Sequence, residues 1–194
     1  MRTLFLGLIL TITSLTAYCQ DNPQTDTTVN IIVNGKNAYY QKAVKVDSNI
    51  MESMIYLRSL EFMAAKNFQQ TYGYEQEGKL ICTTSQDLNT NNIYIGDDSD
   101  EVDQYTVQFA ITLDMKNKKY RYTIHNVVFF RPAETGNRRL TLYDMYIKAT
   151  NTQSKRVAKD AKKVIGSFEK YLNSLTNELY LAIEHKSPVD STKF

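Results

Sequence analysis

Residues 104–130 read QYTVQFAITLDMKNKKYRYTIHNVVFF, and this stretch decides the fold. In its first half Tyr105, Val107, Phe109, Ile111 and Leu113 alternate with Thr106, Gln108, Ala110 and Thr112. A period of two with one apolar face is the mark of a half-buried strand. Asp114-Met115-Lys116-Asn117 is polar enough to turn, and Tyr120, Tyr122, Ile124, Asn126, Val128 and Phe130 then resume the alternation. The stretch is a β-hairpin. With that loop, Leu113 should face Lys118, Ile111 face Tyr120, Phe109 face Tyr122 and Val107 face Ile124. A two-residue shift would keep the faces, whereas a one-residue slip would turn every core ring to water.

The chain around the hairpin is ordinary in bulk. Its 194 residues suit one domain with tails, and 42% hydrophobic against 23% charged is a globular composition. Fourteen Tyr and eight Phe compensate for the lack of Trp. A net charge of +2 is too near neutral to imply a nucleic-acid partner.

Residues 1–19 read as a signal peptide. Arg2 supplies the positive flank, Leu4 to Leu10 begins an apolar run, and Ala17-Tyr18-Cys19 places small residues where a signal peptidase reads them. Cleavage would leave Gln20 first. A lipid anchor on Cys19 is disfavoured, because a small residue should precede the modified cysteine and Tyr18 stands there. With Cys19 removed, Cys82 is the only thiol, so no internal disulfide can form. No other segment is long and apolar enough to span a bilayer. The expected location is the periplasm or beyond.

Residues 20–37 are rich in Asp, Asn, Thr and Gln and read as a flexible leader, with a short edge strand open at Val29–Val33. A strand follows over Tyr39–Val46. Asp47-Ser48-Asn49 offers helix caps, and Met51, Met54, Ile55, Leu60, Met63 and Phe68 recur at helical spacing toward a stop near Tyr72-Gly73. Its three Met read as core fillers rather than an adaptable groove. Gly78 opens a strand over Lys79–Thr84, with Leu80 and Cys82 on its buried face. Ser85–Asn92 reads as a loop and Ile93–Ile95 as a short strand. The acidic run 96–103 reads as a solvated turn, because the glycine and distant Glu of a calcium loop are missing.

After Arg131-Pro132 and a loop over 133–137, Leu140–Ile147 reads as the last strand. Asn151–Ser154 offers caps for a long helix. Val157, Ala161, Val164, Phe168, Leu172, Leu175, Leu179 and Ile183 form one continuous stripe along it. The cations Lys155, Arg156, Lys159, Lys162 and Lys163 read as a solvated outer face. Residues 187–194 read as a disordered tail. The whole is a single α+β domain over 38–186: an antiparallel sheet of about five to six strands with two helices on one face.

Tyr40-Gln41-Lys42-Ala43-Val44-Lys45-Val46-Asp47, Leu57–Phe68, Gly78-Lys79-Leu80-Ile81 and Lys119-Tyr120-Arg121-Tyr122 carry a family likeness. Over Tyr39–Arg131 the chain resembles exported bacterial domains of unknown function with a TATA-binding-protein-like fold. The resemblance implies that fold and supplies no activity, cofactor or catalytic residue. It does not imply DNA binding, because fold does not fix function.

No catalytic or metal motif is present. With two His and one mature Cys there is no paired-ligand spacing for zinc, no G-x-S-x-G elbow, no phosphate loop and no H-E-x-x-H helix. The expectation is a module without metal or cofactor that binds an envelope protein, glycan or small ligand, or is structural. The alternative is a hydrolase-like enzyme with an unrecognised site around His125. A binding surface should lie on the sheet face the helices leave open, carrying Thr106, Gln108, Thr112, Arg121, Thr123 and His125. Arg121 could fork onto a carboxylate, and His125 would make binding sensitive to pH. The ordinary alternative is a wet sheet face, as antiparallel sheets often have.

Overall fold

The structure, a computed structural model, describes residues 30–47, 49–93, 102–131 and 138–184. The signal peptide, leader residues 20–29, the Tyr94–Ile95 part of the short strand, most of the acidic run, the 133–137 loop, His185 and the 187–194 tail lie outside them. In chain order the elements are β1 (Ile31–Asn34), β2 (Asn37–Lys45), α1 (Glu52–Ala65), β3 (Gln69–Tyr74) and β4 (Lys79–Ile93). They continue as β5 (Val102–Lys116), β6 (Lys119–Arg131), β7 (Arg138–Thr141), α2 (Leu142–Asn151) and α3 (Lys155–Ile183).

The strands form one antiparallel sheet in the order β1-β2-β6-β5-β4-β3, with β7 also on β6. On one face lie the alternating apolar residues, such as Tyr40, Leu80, Cys82, Phe109 and Tyr122. They form a single buried cluster with Ile55 and Met63 of α1, Leu142 and Met145 of α2, and Phe168 and Leu172 of α3. Three helices therefore cover one face, where two were expected. Among the described residues no helix covers the other face, the open face of the sheet.

The central hairpin holds, in a different register. β5 and β6 pair to their ends, Lys116 facing Lys119, so the turn is Asn117-Lys118, with Lys118 at φ +65°. Leu113 faces Tyr122 and Ile111 faces Ile124, a slip of four residues from the expected pairing that keeps both faces. A tight turn keeps the Met115 and Tyr120 side chains inside the core, and both are buried. Gly78 supports this corner at φ +57°: a Cβ there would lie 2.5 Å from the Met115 carbonyl oxygen.

Further along, Ala110 faces His125 but Gln108 faces Val128, so β6 carries one extra residue opposite Phe109. Asn126 stands at this bulge with φ +54°. A bulge reverses the alternation beyond it. Val127, Phe129 and Arg131 therefore continue the buried face begun by Tyr120, Tyr122 and Ile124. The expected continuation through Asn126, Val128 and Phe130 is wrong for that reason. Asn126 is exposed and Phe130 half-buried, while Val128, though buried, lies in the Gln108 row opposite Thr141 of β7.

Four other expectations need correction. Residues 31–37 are not leader: β1 and its turn pair with β2, Ile32 facing Tyr39. The first helix ends at Ala65 with Lys66 as its C-cap, not near Gly73. Asn67 adopts φ +59°, its N–H bonds the Ala64 carbonyl at 3.0 Å, and Phe68 N–H bonds the Met63 carbonyl at 2.9 Å. That is a Schellman stop, and it frees Gln69–Tyr74 to form β3. The helix buries Ile55, Tyr56, Ser59 and Met63, while Met51 is 63% exposed. Ser85–Asn92 is not a loop but the second half of β4, held by pairing such as Asp87 with Thr106 and Leu88 with Tyr105. Leu140–Ile147 is not one strand: Thr141 stops β7 and starts α2 through a capping box with Asp144.

The long helix matches its stripe. Ser154 accepts from Val157 N–H as N-cap, and Ala161, Val164, Phe168, Leu172, Leu175, Leu179 and Ile183 are buried. Phe168 is the hub, its ring within 6.5 Å of Tyr40, Phe109, Phe129 and Tyr171 by centroid.

Candidate functional site

The open face can be read row by row from the register. One row runs Gln41, Thr123, Thr112, Ile81; the next holds His125, Ala110 and Thr83. All six residues expected on this face are on it, but they fall into three groups. At the centre, Thr112 Oγ1 and His125 Nε2 lie 2.9 Å apart in a hydrogen bond, and Gln41 Nε2 donates to Thr123 Oγ1 at 2.9 Å. Toward the hairpin turn, Arg121 is engaged: its Nε and Nη2 donate to Asp114 Oδ2 at 3.2 and 2.9 Å. The guanidinium expected to fork onto a ligand carboxylate is paired here with its cross-strand neighbour. At the far end, Thr106 Oγ1 donates to Asp87 Oδ1 at 2.7 Å, with Gln108 exposed nearby.

Relief comes from the bulge. Asn126 lines three open clefts. One, of about 390 Å³, lies between β6 and the β1–β2 hairpin, with Asn34, Asn37, Tyr39, Gln41, Thr123 and His125 in its walls. A second, of about 670 Å³, is lined by Thr83, Ser85, Gln108 and Ala110 with Lys66, Asn67 and Gln69 from the α1–β3 junction. The third, of about 400 Å³, opens between β2 and the start of α2 and includes Lys36, Arg139 and Tyr143. The extra residue prevents β2 from pairing past Tyr40–Ile124, and the strands part there.

Sequence reading missed Tyr39, Gln41 and Asn126. The first two follow from the β2 alternation once β2 is placed beside β6. Asn126 was hidden because it occupies a regular strand position in the pattern, although Asn readily takes positive φ.

Cys82 is 1% exposed on the opposite face, and burial pushes its thiol up to about 11. No three of the described His, Cys, Asp and Glu residues are grouped to hold a metal ion. No helix of the described residues is long and apolar enough to cross a membrane.

No curated protein matches the chain. Among solved structures, it is similar to a TBP-like protein from Parabacteroides distasonis at 11% identity, TM-score 0.62, covering 79% of this chain and 96% of that one. It is also similar to a DUF4468 family protein from Bacteroides ovatus at 9% identity, TM-score 0.63, with 79% and 90% covered. Identities so low speak to fold alone. The family model described as a domain of unknown function (DUF4468) with TBP-like fold matches residues 40–130. That segment spans α1, the central hairpin and the open face built on it, and over it the chain matches the DUF4468 family model, with its TBP-like fold.

Proposed function

We propose that this chain is an exported, non-catalytic binding module whose working surface is the open sheet face around His125. The observation that carries the reading is the hydroxyl–amide network at its centre: Thr112 with His125, Gln41 with Thr123, bordered by clefts at the Asn126 bulge. Such groups recognise a ligand by hydrogen bonding, and although the Thr112 hydroxyl lies beside the His125 imidazole, no carboxylate among the described residues bonds that ring to complete a triad. His125 bonds a neutral hydroxyl, and the Cys82 thiol faces the core on the other side of the sheet. Export is supported by the charge, apolar run and small residues of positions 2–19.

The fold name invites a nucleic-acid reading, but the central rows argue against it. Gln41, Thr112, Thr123, Ala110, His125 and Thr83 offer no fixed cation to a phosphate backbone, which dominates such binding. The test is a thermal-shift screen of envelope-derived fractions and small molecules, using the natural protein and a Gln41→Ala/His125→Ala variant. Ligands should stabilise the first and not the second. Stabilisation that ignores the variant would place binding elsewhere and overturn the reading.

A further inference from the structure

We propose that the cleft between β6 and the β1–β2 hairpin holds a neutral, hydroxyl-rich ligand, a stretch of uncharged oligosaccharide. This rests on the open-face reading above and names its ligand class.

The lining decides the class. Asn34, Asn37, Gln41 and Asn126 bring four carboxamides to one cleft, with the Thr123 hydroxyl and the His125 imidazole between them. Each carboxamide offers two donors and an acceptor, and each sugar hydroxyl both donates and accepts. The two sets are complementary without either carrying charge. A charged ligand would lose water here without gaining a counter-ion, which is costly even in a half-open site. The nearby guanidinium of Arg121 is outside the lining and is paired with Asp114.

The remaining wall residues fit the same class. Tyr39 brings an aromatic ring to the cleft, and such a ring offers its flat apolar face to the C–H side of a pyranose. Pockets for compact metabolites are closed and mostly apolar. This cleft is open and almost evenly polar and apolar, which suits a chain lying across it with both its hydroxyls and its C–H faces engaged. It meets the larger cleft at Asn126, where Thr83, Ser85 and Gln108 continue the run of hydroxyls and amides across the face. The cationic exception there, Lys66, is ion-paired with Glu178. A ligand running from β1 across to β4 would meet a surface of one chemistry throughout.

The experiment is titration calorimetry with neutral hexasaccharides (maltohexaose, cellohexaose and chitohexaose) beside heparin, oligogalacturonate and oligothymidylate. At least one neutral hexasaccharide should bind, with an affinity unchanged as salt is raised. Gln41→Ala, Tyr39→Ala and Asn126→Gly should each weaken it by about tenfold, the scale of one lost good contact. The glycine variant keeps the bulge, so its melting temperature should hold. Binding by none of the neutral sugars, or an affinity that collapses with salt, overturns the proposal. If an acidic glycan or a protein binds instead and is lost in Gln41→Ala, the sugar class is wrong and the open-face reading stands. A ligand indifferent to all three variants overturns both.

Discussion

The rings of Phe129 and Phe168 meet edge to face, centroids 5.6 Å apart and planes at 85°, and the contact depends on Asn126. Without the extra residue at the bulge, strict alternation would turn Phe129 to the open face and leave the Phe168 ring without one of its neighbours. One surface asparagine thus sets both the core and the clefts beside His125.

Asn126 should therefore be sensitive to residue type rather than to loss of its amide. Asn126→Val places a β-branched side chain at φ +54° and should cost about 1–2 kcal/mol. Asn126→Gly, which relaxes the same strain, should leave stability within a few tenths of a kcal/mol, as glycine pays only its extra unfolded freedom. Urea denaturation of the two variants checks this. Equal losses would mean that the amide, and not the backbone angle, matters to the fold.

Phe168 is fully buried, and its ring touches four others. Phe168→Ala should cost about 3–5 kcal/mol, and Leu172→Ala about 2–5, the range for truncating large buried side chains. Domains of this size hold only about 5–15 kcal/mol in reserve, so both changes should lower the melting temperature visibly. Unchanged melting in both would detach α3 from the sheet.

Where the sequence was legible, one period ran unbroken. Tyr105 to Met115 keeps period two, and Val157 to Ile183 keeps the helical stripe, because in each a single face meets a single core. Legibility failed where a backbone device changed the period. Asn67 and Asn126 sit at positive φ inside patterns that look continuous, so the first helix was extended through β3 and the second arm was misassigned beyond His125. Ser85 to Asn92 lacks strand propensity and is a strand through its neighbours, an override that only pairing with β5 supplies. The site shared these limits. Thr123 and His125 were found by alternation alone, but Gln41 required strand order and the clefts required the bulge.

The start of α2 gives a test of the misread strand. Thr141 Oγ1 accepts from Asp144 N–H at 3.1 Å, and Asp144 Oδ2 accepts from Thr141 N–H at 2.9 Å. This reciprocal cap is what converts Leu142–Asn151 from strand to helix. Thr141→Ala should cost about 0.5–2 kcal/mol, the usual range for a lost cap. Amide exchange should speed up first in residues 142–151. Slow exchange there, with a stability loss spread over the sheet, would assign Thr141 a role in β7 instead.

Alkali should unfold this protein earlier than its ion pairs would suggest. Burial raises the Cys82 thiol from 9.0 to about 11, and burial also raises the Tyr105 and Tyr171 phenols from 10.0 to about 12. These groups are neutral when protonated. Below pH 9 both folded and unfolded chains keep the protons, and the stabilisation is complete. Above it the unfolded chain releases protons that the folded chain retains, so unfolding is favoured as pH rises. Stability should fall from pH 9 to about 11 through Cys82, with the tyrosines adding their loss from pH 10 to about 12. Urea midpoints measured from neutral pH upward read this directly. Cys82→Ala should delay the onset of the decline to the tyrosine range and leave the later part in place. A natural protein whose midpoint holds flat past about pH 10, half-way through the expected thiol range, would mean that Cys82 reaches water and that the sheet's covered face is not sealed.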